Sequence, residues 1–342
     1  MQLSRCKILV TGGAGFIGSE LVHQLAERDA SVLVVDNLVN GKPGNIGDLA
    51  RSQVSLVVQD IRNYGAMRQL LKQVDIVYHL ACLGVRHSIH SPCENHEVNS
   101  TGTLGLLSAA RAVGVERFVY VSSSEVYGTA QWVPMTEDHP TFPMTVYGAS
   151  KLAGECYARA FYRTYSYPTV VVRPFNTYGP RCHHDGDSGE VIPKFMLRCL
   201  AGRSMVIFGS GTQTRDLTFV SDIARGILLA GLTDEAVGQT INLGYSQEVT
   251  INDLAREVAM VVGKPDASVI HDEHRPGDTL RLYADITLAR TLLGFEPTVT
   301  LREGLIRLRD WYHGLGQPPE VLLEREIVRN WEPVPARRKG NA

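Results

Sequence analysis

The sequence lacks any apolar run long enough to span a bilayer, and nothing near its N-terminus resembles a signal peptide. Its 34 lysines and arginines and 36 acidic residues leave a formal net charge of -2, which gives no basic surplus for a nucleic-acid backbone or a membrane surface. Its 6 cysteines have no paired spacing, as is typical of reduced thiols. We therefore expect a cytoplasmic protein with no nucleic-acid partner and no membrane partner.

A glycine-rich turn at residues 11–18 follows a short apolar run, residues 8–10, and precedes apolar residues at helical spacing. This order predicts a strand, a tight turn and a helix. Gly12 permits the turn, Gly15 lets the backbone approach a pyrophosphate, and Gly18 lets the helix pack close to the strand. An ordinary glycine turn is the alternative. The turn residues that we expect to contact a dinucleotide are Gly12, Gly15, Phe16, Ile17 and Gly18.

A second apolar run, residues 32–35, ends at Asp36. A carboxylate at this place accepts hydrogen bonds from the adenosine ribose hydroxyls and repels a 2′-phosphate. The sequence therefore predicts NAD as the cofactor in preference to NADP.

Apolar runs alternate with helix-period segments through the first half of the chain. The apolar runs predict strands at 54–58, 76–80, 118–121 and 169–172. The helix-period segments predict helices at 64–72 and 147–165 and a long helix that ends near residue 113. Such alternation predicts a Rossmann-type doubly wound parallel sheet, an α/β fold with helices on both faces. Beyond Pro174, a helix at 192–200, a strand at 205–208 and a helix capped by Thr250 and Asp253 predict a smaller α/β lobe. Two further strands are predicted at 215–220 and 240–243.

Tyr147 and Lys151 stand four residues apart, so a helix would bring them to one face. A nearby ammonium favours the phenolate, and we therefore expect the pKa of Tyr147 to fall towards neutral pH and make it a general base. In isolation the pair could be a surface helix pair.

Together, the turn Thr-Gly-Gly-Ala-Gly-Phe-Ile-Gly and the later Tyr147-Gly-Ala-Ser-Lys151 resemble the extended short-chain dehydrogenase/reductases over about residues 7–312. The resemblance implies that Tyr147 takes a proton from a sugar hydroxyl while hydride passes to NAD, and that Lys151 holds the nicotinamide ribose. It also implies an NAD-binding domain at 1–176 to which 213–243 return. A nucleotide-sugar lobe at 177–316 and a C-terminal tail at 317–342 would follow.

The same resemblance implies further catalytic and binding residues. Ser123 would bond the oxidised sugar oxygen, and Glu125 would move a proton beside a 4-ketone, although a loop acid in solvent is its alternative. Ser124 stands where the dTDP-glucose members have an acid. The other implied cofactor contacts are Asn37, Asp60, Ile61, Leu80, Ala81, Asn99 and Pro174. The implied substrate contacts are Arg86, Asn176, Val191, Phe208, Arg215, Arg275 and Asp278.

Some of these assignments have structural alternatives. Phe208 could stack on a nucleobase or could be a core residue, and Arg215 and Arg275 could grip a diphosphate or form surface ion pairs. The cysteine and histidines of loop 182–187 are adjacent in sequence, and we expect no metal there because neighbouring side chains rarely converge on one ion.

The resemblance implies an enzyme acting on a UDP-, dTDP- or GDP-hexose, and its stretch 125–140 is most similar to 4,6-dehydratases. A 4-epimerase and a UDP-glucuronate decarboxylase remain open, and a non-catalytic NAD-binding sensor is a more remote alternative. Family members pair two long helices with their copies, so a homodimer is expected. Candidate apolar residues for that face are Leu104, Leu107, Ala153 and Ala160.

Overall fold

The computed structural model describes residues 3–186, 188–275 and 278–332. Its strands are β1 Lys7–Thr11, β2 Ser31–Asp36, β3 Val54–Val58, β4 Ile76–His79, β5 Arg117–Val121, β6 Thr169–Pro174, β7 Asn176–Tyr178, β8 Met205–Phe208, β9 Thr214–Phe219, β10 Thr240–Leu243, β11 Glu248–Thr250 and β12 Val269–Asp272. Its α-helices are α1 Phe16–Ala26, α2 Tyr64–Leu71, α3 Val85–His90, α4 Pro92–His96, α5 Thr103–Val113, α6 Val146–Tyr165, α7 Val191–Leu200, α8 Val220–Leu232, α9 Ile251–Val262, α10 Thr287–Leu293, α11 Leu301–Gly314 and α12 Pro319–Leu322.

Seven parallel strands form the central sheet in the order β10-β6-β5-β4-β1-β2-β3. The order runs outward in both directions from β1, so the chain reverses its winding between β1 and β4. Strands β4, β5 and β6 are buried along their whole length because helices cover both faces of the sheet. The predicted Rossmann-type doubly wound fold is confirmed, and its ligand cleft is expected where the winding reverses.

The described residues form three large hydrophobic cores, and two of them bear on the expected lobes. The first packs against the central sheet and includes Leu282 and Phe295, although both fall in the segment that we assigned to the sugar lobe. The second surrounds α7, α9 and α11. Strand β9 pairs with β7 and β11 in a separate three-stranded sheet, whereas β10 joins the central sheet. The division of the chain into lobes stays a prediction, and residues 333–342 of the expected tail lie outside the described residues.

Local signals located several elements closely. The predicted strands at 54–58, 205–208 and 240–243 have the bounds of β3, β8 and β10. Thr250 caps α9, and its Oγ1 accepts a hydrogen bond from the Asp253 N–H at 3.0 Å. The sequence of residues 321–328 is also compatible with a short helix, but α12 ends at Leu322, and the backbone beyond it bonds elsewhere, with the Gly186 N–H donating to the Arg325 carbonyl at 2.9 Å.

The candidate dimer face is only partly available. Leu107 is fully buried in the core of its own chain, so it cannot serve an interface, while Ala160 is exposed and Leu104 and Ala153 are half-buried. The homodimer stays a prediction. Within the described ranges, no helix combines the length and the apolarity that crossing a bilayer requires.

Candidate active site

A cavity of about 510 Å³ runs from the glycine-rich turn, past the carboxyl ends of the central strands, to β8. It is bordered by all the residues that we assigned to catalysis, cofactor or substrate, with the exception of Asn99. Those residues are Gly12, Gly15, Phe16, Ile17, Gly18, Asp36, Asn37, Asp60, Ile61, Leu80, Ala81, Arg86, Ser123, Ser124, Glu125, Tyr147, Lys151, Pro174, Asn176, Val191, Phe208, Arg215, Arg275 and Asp278.

The glycine-rich turn is sterically restricted at two positions. Gly12 has φ +70°, and a Cβ there would lie 2.8 Å from the Ala81 nitrogen. A Cβ at Gly18 would lie 2.1 Å from the Gly12 carbonyl oxygen, so the helix can approach the turn only without one. No side chain caps α1 at Gly15, and the first-turn N–H groups are therefore left for an anion.

Asp36 ends β2 with only 7% of its surface exposed. Its Oδ2 accepts from the Ala14 N–H at 3.0 Å and its Oδ1 accepts from the Leu38 N–H at 2.9 Å. The carboxylate thus braces the turn while it borders the cavity. An uncapped helix N-terminus and a carboxylate at the end of the second strand fit NAD, whose pyrophosphate and adenosine ribose need these two groups.

Tyr147 and Lys151 lie together at the start of α6, where Thr145 caps the helix through the Gly148 N–H. The buried Lys151 ammonium donates to the Val121 carbonyl at 2.5 Å and lies 4.7 Å from the centre of the Tyr120 ring. Burial lowers the pKa of Lys151.

The expected fall in the pKa of Tyr147 was wrong. Desolvation raises the pKa of this phenol well above its usual value, and the neighbouring Cys82 and Glu125 raise it further, whereas contact with the Ser123 hydroxyl lowers it. The Lys151 ammonium is engaged by the Val121 carbonyl, so burial outweighs its attraction.

The serine-rich loop leaves the end of β5 and faces the same cavity. Ser123 begins a short helical turn, and its Oγ accepts from the Glu125 N–H at 3.2 Å, which fixes the backbone beneath the half-buried Glu125. Two residues later, the buried Tyr127 hydroxyl donates to Asn242 Oδ1 at 2.7 Å.

A buried ion pair supports this loop from below. Arg173 is 1% exposed and bonds both carboxylate oxygens of the fully buried Glu155, at 2.9 and 2.7 Å. Arg173 also donates a hydrogen bond to the Tyr127 hydroxyl at 2.7 Å. The loop that carries Glu125 is therefore tied to β6 and α6.

In the half of the cavity away from the glycine turn, Asp278 accepts from both Arg215, at 2.6 Å, and Arg275. Burial lowers the pKa of Arg215. Burial, with repulsion from Arg275, also lowers the pKa of Arg86 to about 10. Asn176 Oδ1 is buried at the cavity with no hydrogen-bond partner among the described residues. Such an atom is suited to a ligand donor.

Asn99 does not border the cavity. Its side chain accepts from the Leu83 N–H at 2.8 Å and donates to the Leu83 carbonyl and to Ser150 Oγ. It therefore supports the wall of the cavity from behind, through Leu83, which borders the cavity.

Cavity residues that the sequence analysis missed include Cys82, Lys194, Arg198, Glu326 and Asn330. Lys194 and Arg198 lie three and seven residues after the assigned Val191, so a helix places all three on one face. This spacing could have identified the two cations as cavity residues. Glu326 and Asn330 carry no local signal because long-range contacts alone bring them to the cavity.

The described residues of loop 182–187 do not gather around a common metal position. His183 lies 3.6 Å from Glu190, and the His184 ring packs edge-on against Tyr312. Burial raises the pKa of the Cys182 thiol, and Asp187 lies outside the described residues. In the part of the chain that the structure describes, no group of three or more histidines, cysteines and acids could hold an ion.

Comparison with known proteins identifies the family to which this arrangement belongs. The family model described as GDP-mannose 4,6 dehydratase matches residues 9–308, most of the chain. The chain belongs to this family. Its resemblance to the extended short-chain dehydrogenase/reductases is confirmed, and with it NAD as the cofactor.

Relatives in the family carry different activities in their names. UDP-glucose 4-epimerase of Mycolicibacterium smegmatis is 36% identical over 315 residues, which cover 91% of this chain and 100% of that protein. UDP-glucuronic acid decarboxylase 1 of Xenopus tropicalis is 35% identical over 311 residues, which cover 89% of this chain and 71% of that protein. The solved dTDP-glucose 4,6-dehydratase of Streptomyces venezuelae, with NAD bound, has a TM-score of 0.85 and 33% identity, covering 90% of this chain and 97% of that chain. The family therefore comprises NAD-dependent nucleotide-sugar epimerases, decarboxylases and dehydratases.

Proposed function

We propose that this protein is an NAD-dependent nucleotide-diphosphate-hexose 4,6-dehydratase that acts through a 4-keto intermediate. The observation that carries the proposal is the Glu125 carboxylate, which borders the same cavity as Ser123, Tyr147 and Lys151. Oxidation at C4 makes the neighbouring C5 hydrogen acidic, and a carboxylate within reach can then remove it. A 4-epimerase needs no such group, because it only returns hydride to C4.

Each residue has one task in the proposed reaction. The Tyr147 phenolate takes the 4-hydroxyl proton, and Ser123 donates to the oxygen as it becomes a carbonyl. Because desolvation opposes formation of that phenolate, the reaction requires the positive charges of Lys151 and of the bound nicotinamide ring to favour it. NAD, which the glycine-rich turn and Asp36 would hold, would supply the redox chemistry as the hydride acceptor for C4 and the hydride donor for C6. Glu125 removes the C5 proton as the 6-hydroxyl leaves with a proton as water, and a proton is restored at C5 when C6 is reduced. The product has lost one water with no net oxidation.

Two substitutions separate these steps. Tyr147→Phe removes the first base, so no NADH absorbance should appear when substrate is added. Glu125→Gln keeps the size of the side chain but removes the second base, so NADH absorbance should appear and persist while product formation stops. In deuterated water the wild-type product should carry deuterium at C5. Full turnover by Glu125→Gln, or a product that keeps its C5 hydrogen, would contradict 4,6-dehydration.

A UDP-glucuronate decarboxylase is the second candidate, because cationic groups surround Glu125. Arg86 and Arg215 lie close enough to its carboxylate for the charge to raise the pKa of both guanidinium groups, although burial lowers them overall. Such cations suit a substrate carboxylate. Mass spectrometry of the products from a panel of UDP-, dTDP- and GDP-sugars distinguishes the reactions. Loss of water supports the dehydratase, loss of carbon dioxide the decarboxylase, and unchanged mass an epimerase.

A further inference from the structure

The last described residues, 323–332, form a segment made mostly of turns, which we call the C-terminal strap. It lies beyond residue 308, where the match to the family model ends. Three of its residues, Glu326, Val328 and Asn330, border the cavity. A part of the chain outside the family's shared region therefore builds one wall of the site.

The strap is fastened along its length to the lobe that surrounds α7. Leu323 is buried in the second core, and the Glu326 carboxylate pairs with Arg198 at 2.7 Å. The Ile327 carbonyl accepts from Lys194 at 2.7 Å. Arg329 binds both carboxylate oxygens of Asp272, at 3.0 and 2.6 Å. These contacts give the strap one defined path over the cavity.

Near its end, the strap also reaches the opposite side of the cleft. Asn330 is 3% exposed, and its Oδ1 accepts from Arg86 Nε at 3.0 Å. Its Nδ2 donates to the Gly189 carbonyl at 3.1 Å, so one amide joins α3 to the loop before α7. The next residue, Trp331, packs edge-on against Phe208 with ring centres 4.5 Å apart.

The bond to Nε restricts the Arg86 side chain without using the terminal nitrogens of its guanidinium fork. Arg86 is half-buried, and the charges around it act in opposite directions, since Arg275 repels it while Glu125, Asp278 and Glu190 attract it. The Asn330 oxygen opposes that repulsion without neutralising the guanidinium, whereas a carboxylate in its place would compete with an anionic ligand.

We propose that Asn330 is a positioning residue for the nucleotide sugar, holding the Arg86 guanidinium in the cavity so that it can bind the anionic diphosphate-sugar. The inference rests on the proposed substrate class. Holding one long side chain in its binding geometry is worth about 0.5–1.5 kcal/mol of association free energy. We therefore expect several-fold to about tenfold weaker binding when the Asn330 amide is removed.

The test is a double-mutant cycle on the purified full chain, with UDP, dTDP and GDP as probes in titration calorimetry. Asn330→Ala should weaken binding of the preferred nucleoside diphosphate several-fold in the wild-type background and hardly at all in the Arg86→Ala background. Glu324→Gln, an exposed change on the same strap, is the matched control and should bind as the wild type does. With the sugar nucleotide as substrate, Asn330→Ala should raise KM more than it lowers kcat.

Each outcome decides one question. Equal affinity of Asn330→Ala and wild type would overturn the positioning role, and so would an equal loss in both backgrounds, which indicates a structural effect that does not act through Arg86. If the wild-type protein itself binds none of the three nucleoside diphosphates, the proposed substrate class fails instead. Retained NAD content in every variant confirms that the cofactor half is intact.

Discussion

Replacing Asp36 should change which dinucleotide this protein holds. The carboxylate is 7% exposed at the end of β2 and accepts backbone N–H bonds from Ala14 and Leu38 at 3.0 and 2.9 Å. Asp36→Asn keeps one oxygen acceptor and nearly the same volume but removes the charge. Asp36→Ala removes both the charge and the brace on the glycine-rich turn. The pair therefore separates electrostatic exclusion of NADP from the shape of the turn.

The magnitude follows from the charge and its burial. Two unit charges at about 4 Å repel by roughly 4 kcal/mol at an effective dielectric constant of about 20, which corresponds to about a thousandfold in affinity. The wild type should discriminate against NADP by a factor of this order. Asp36→Asn should remove most of that discrimination. It should lower the affinity for NAD by a smaller factor, since its amide oxygen still accepts one hydrogen bond from the ribose or the backbone. Asp36→Ala should weaken both dinucleotides.

The assay measures the dissociation constants of NAD and NADP by titration calorimetry and, for tightly held cofactor, identifies by mass spectrometry the dinucleotide that is released on denaturation. Equal wild-type affinity for NAD and NADP would refute the assignment of Asp36 to the adenosine ribose. So would an Asp36→Asn variant whose preference for NAD is unchanged, since the argument depends on the charge.

Two further predictions concern buried charges. Glu155→Gln leaves the buried Arg173 without its negatively charged partner and should lower the free energy of unfolding by about 3–5 kcal/mol. For a chain of this length, this loss lowers the thermal midpoint by roughly 4–7 °C. A shift below about 1 °C in a circular-dichroism melt would contradict this prediction. Burial lowers the pKa of Lys194 to about 8, and Arg86, Arg198 and Arg275 also lower it while Glu326 raises it. Lys194 loses its charge as the pH rises through this value, so KM for the sugar nucleotide should rise between about pH 7 and pH 9 in the wild type. In Lys194→Arg, which keeps its charge, KM should not change over this range. A wild-type KM that does not change with pH would contradict the prediction.

The sequence was informative wherever a local pattern carried the physics. The turn at Gly12 and Gly18 was predictable because only residues without a Cβ fit there, and the cap at Thr250 because a hydroxyl there can accept a free helix N–H. The buried strands of the central sheet were visible as apolar runs. These signals determined the fold class and brought most of the assigned site residues to one cavity.

Properties that depend on the whole packed structure could not be inferred from such patterns. The pair Tyr147 and Lys151 suggested a lowered tyrosine pKa, but desolvation by distant parts of the chain reverses the direction. Leu107 has the apolar character of an interface residue and is instead core. Asn330 lies at the cavity because it contacts Arg86, from which it is separated by most of the sequence. No spacing rule predicts a contact of this kind.

The first and second hydrophobic cores draw their residues from alternating stretches of the sequence, and this has a consequence for how the chain folds. Helix α8 carries Val220 in the second core and Ile223 in the first, and the chain returns to the second at Ile251, to the first at Leu282 and to the second again at Val299. Neither core is completed by a continuous stretch of sequence, so no cut produces two fragments that can each bury their own apolar surface. The two halves should therefore lose protection from amide hydrogen exchange together, and a high share of contacts between distant residues should make their assembly slow.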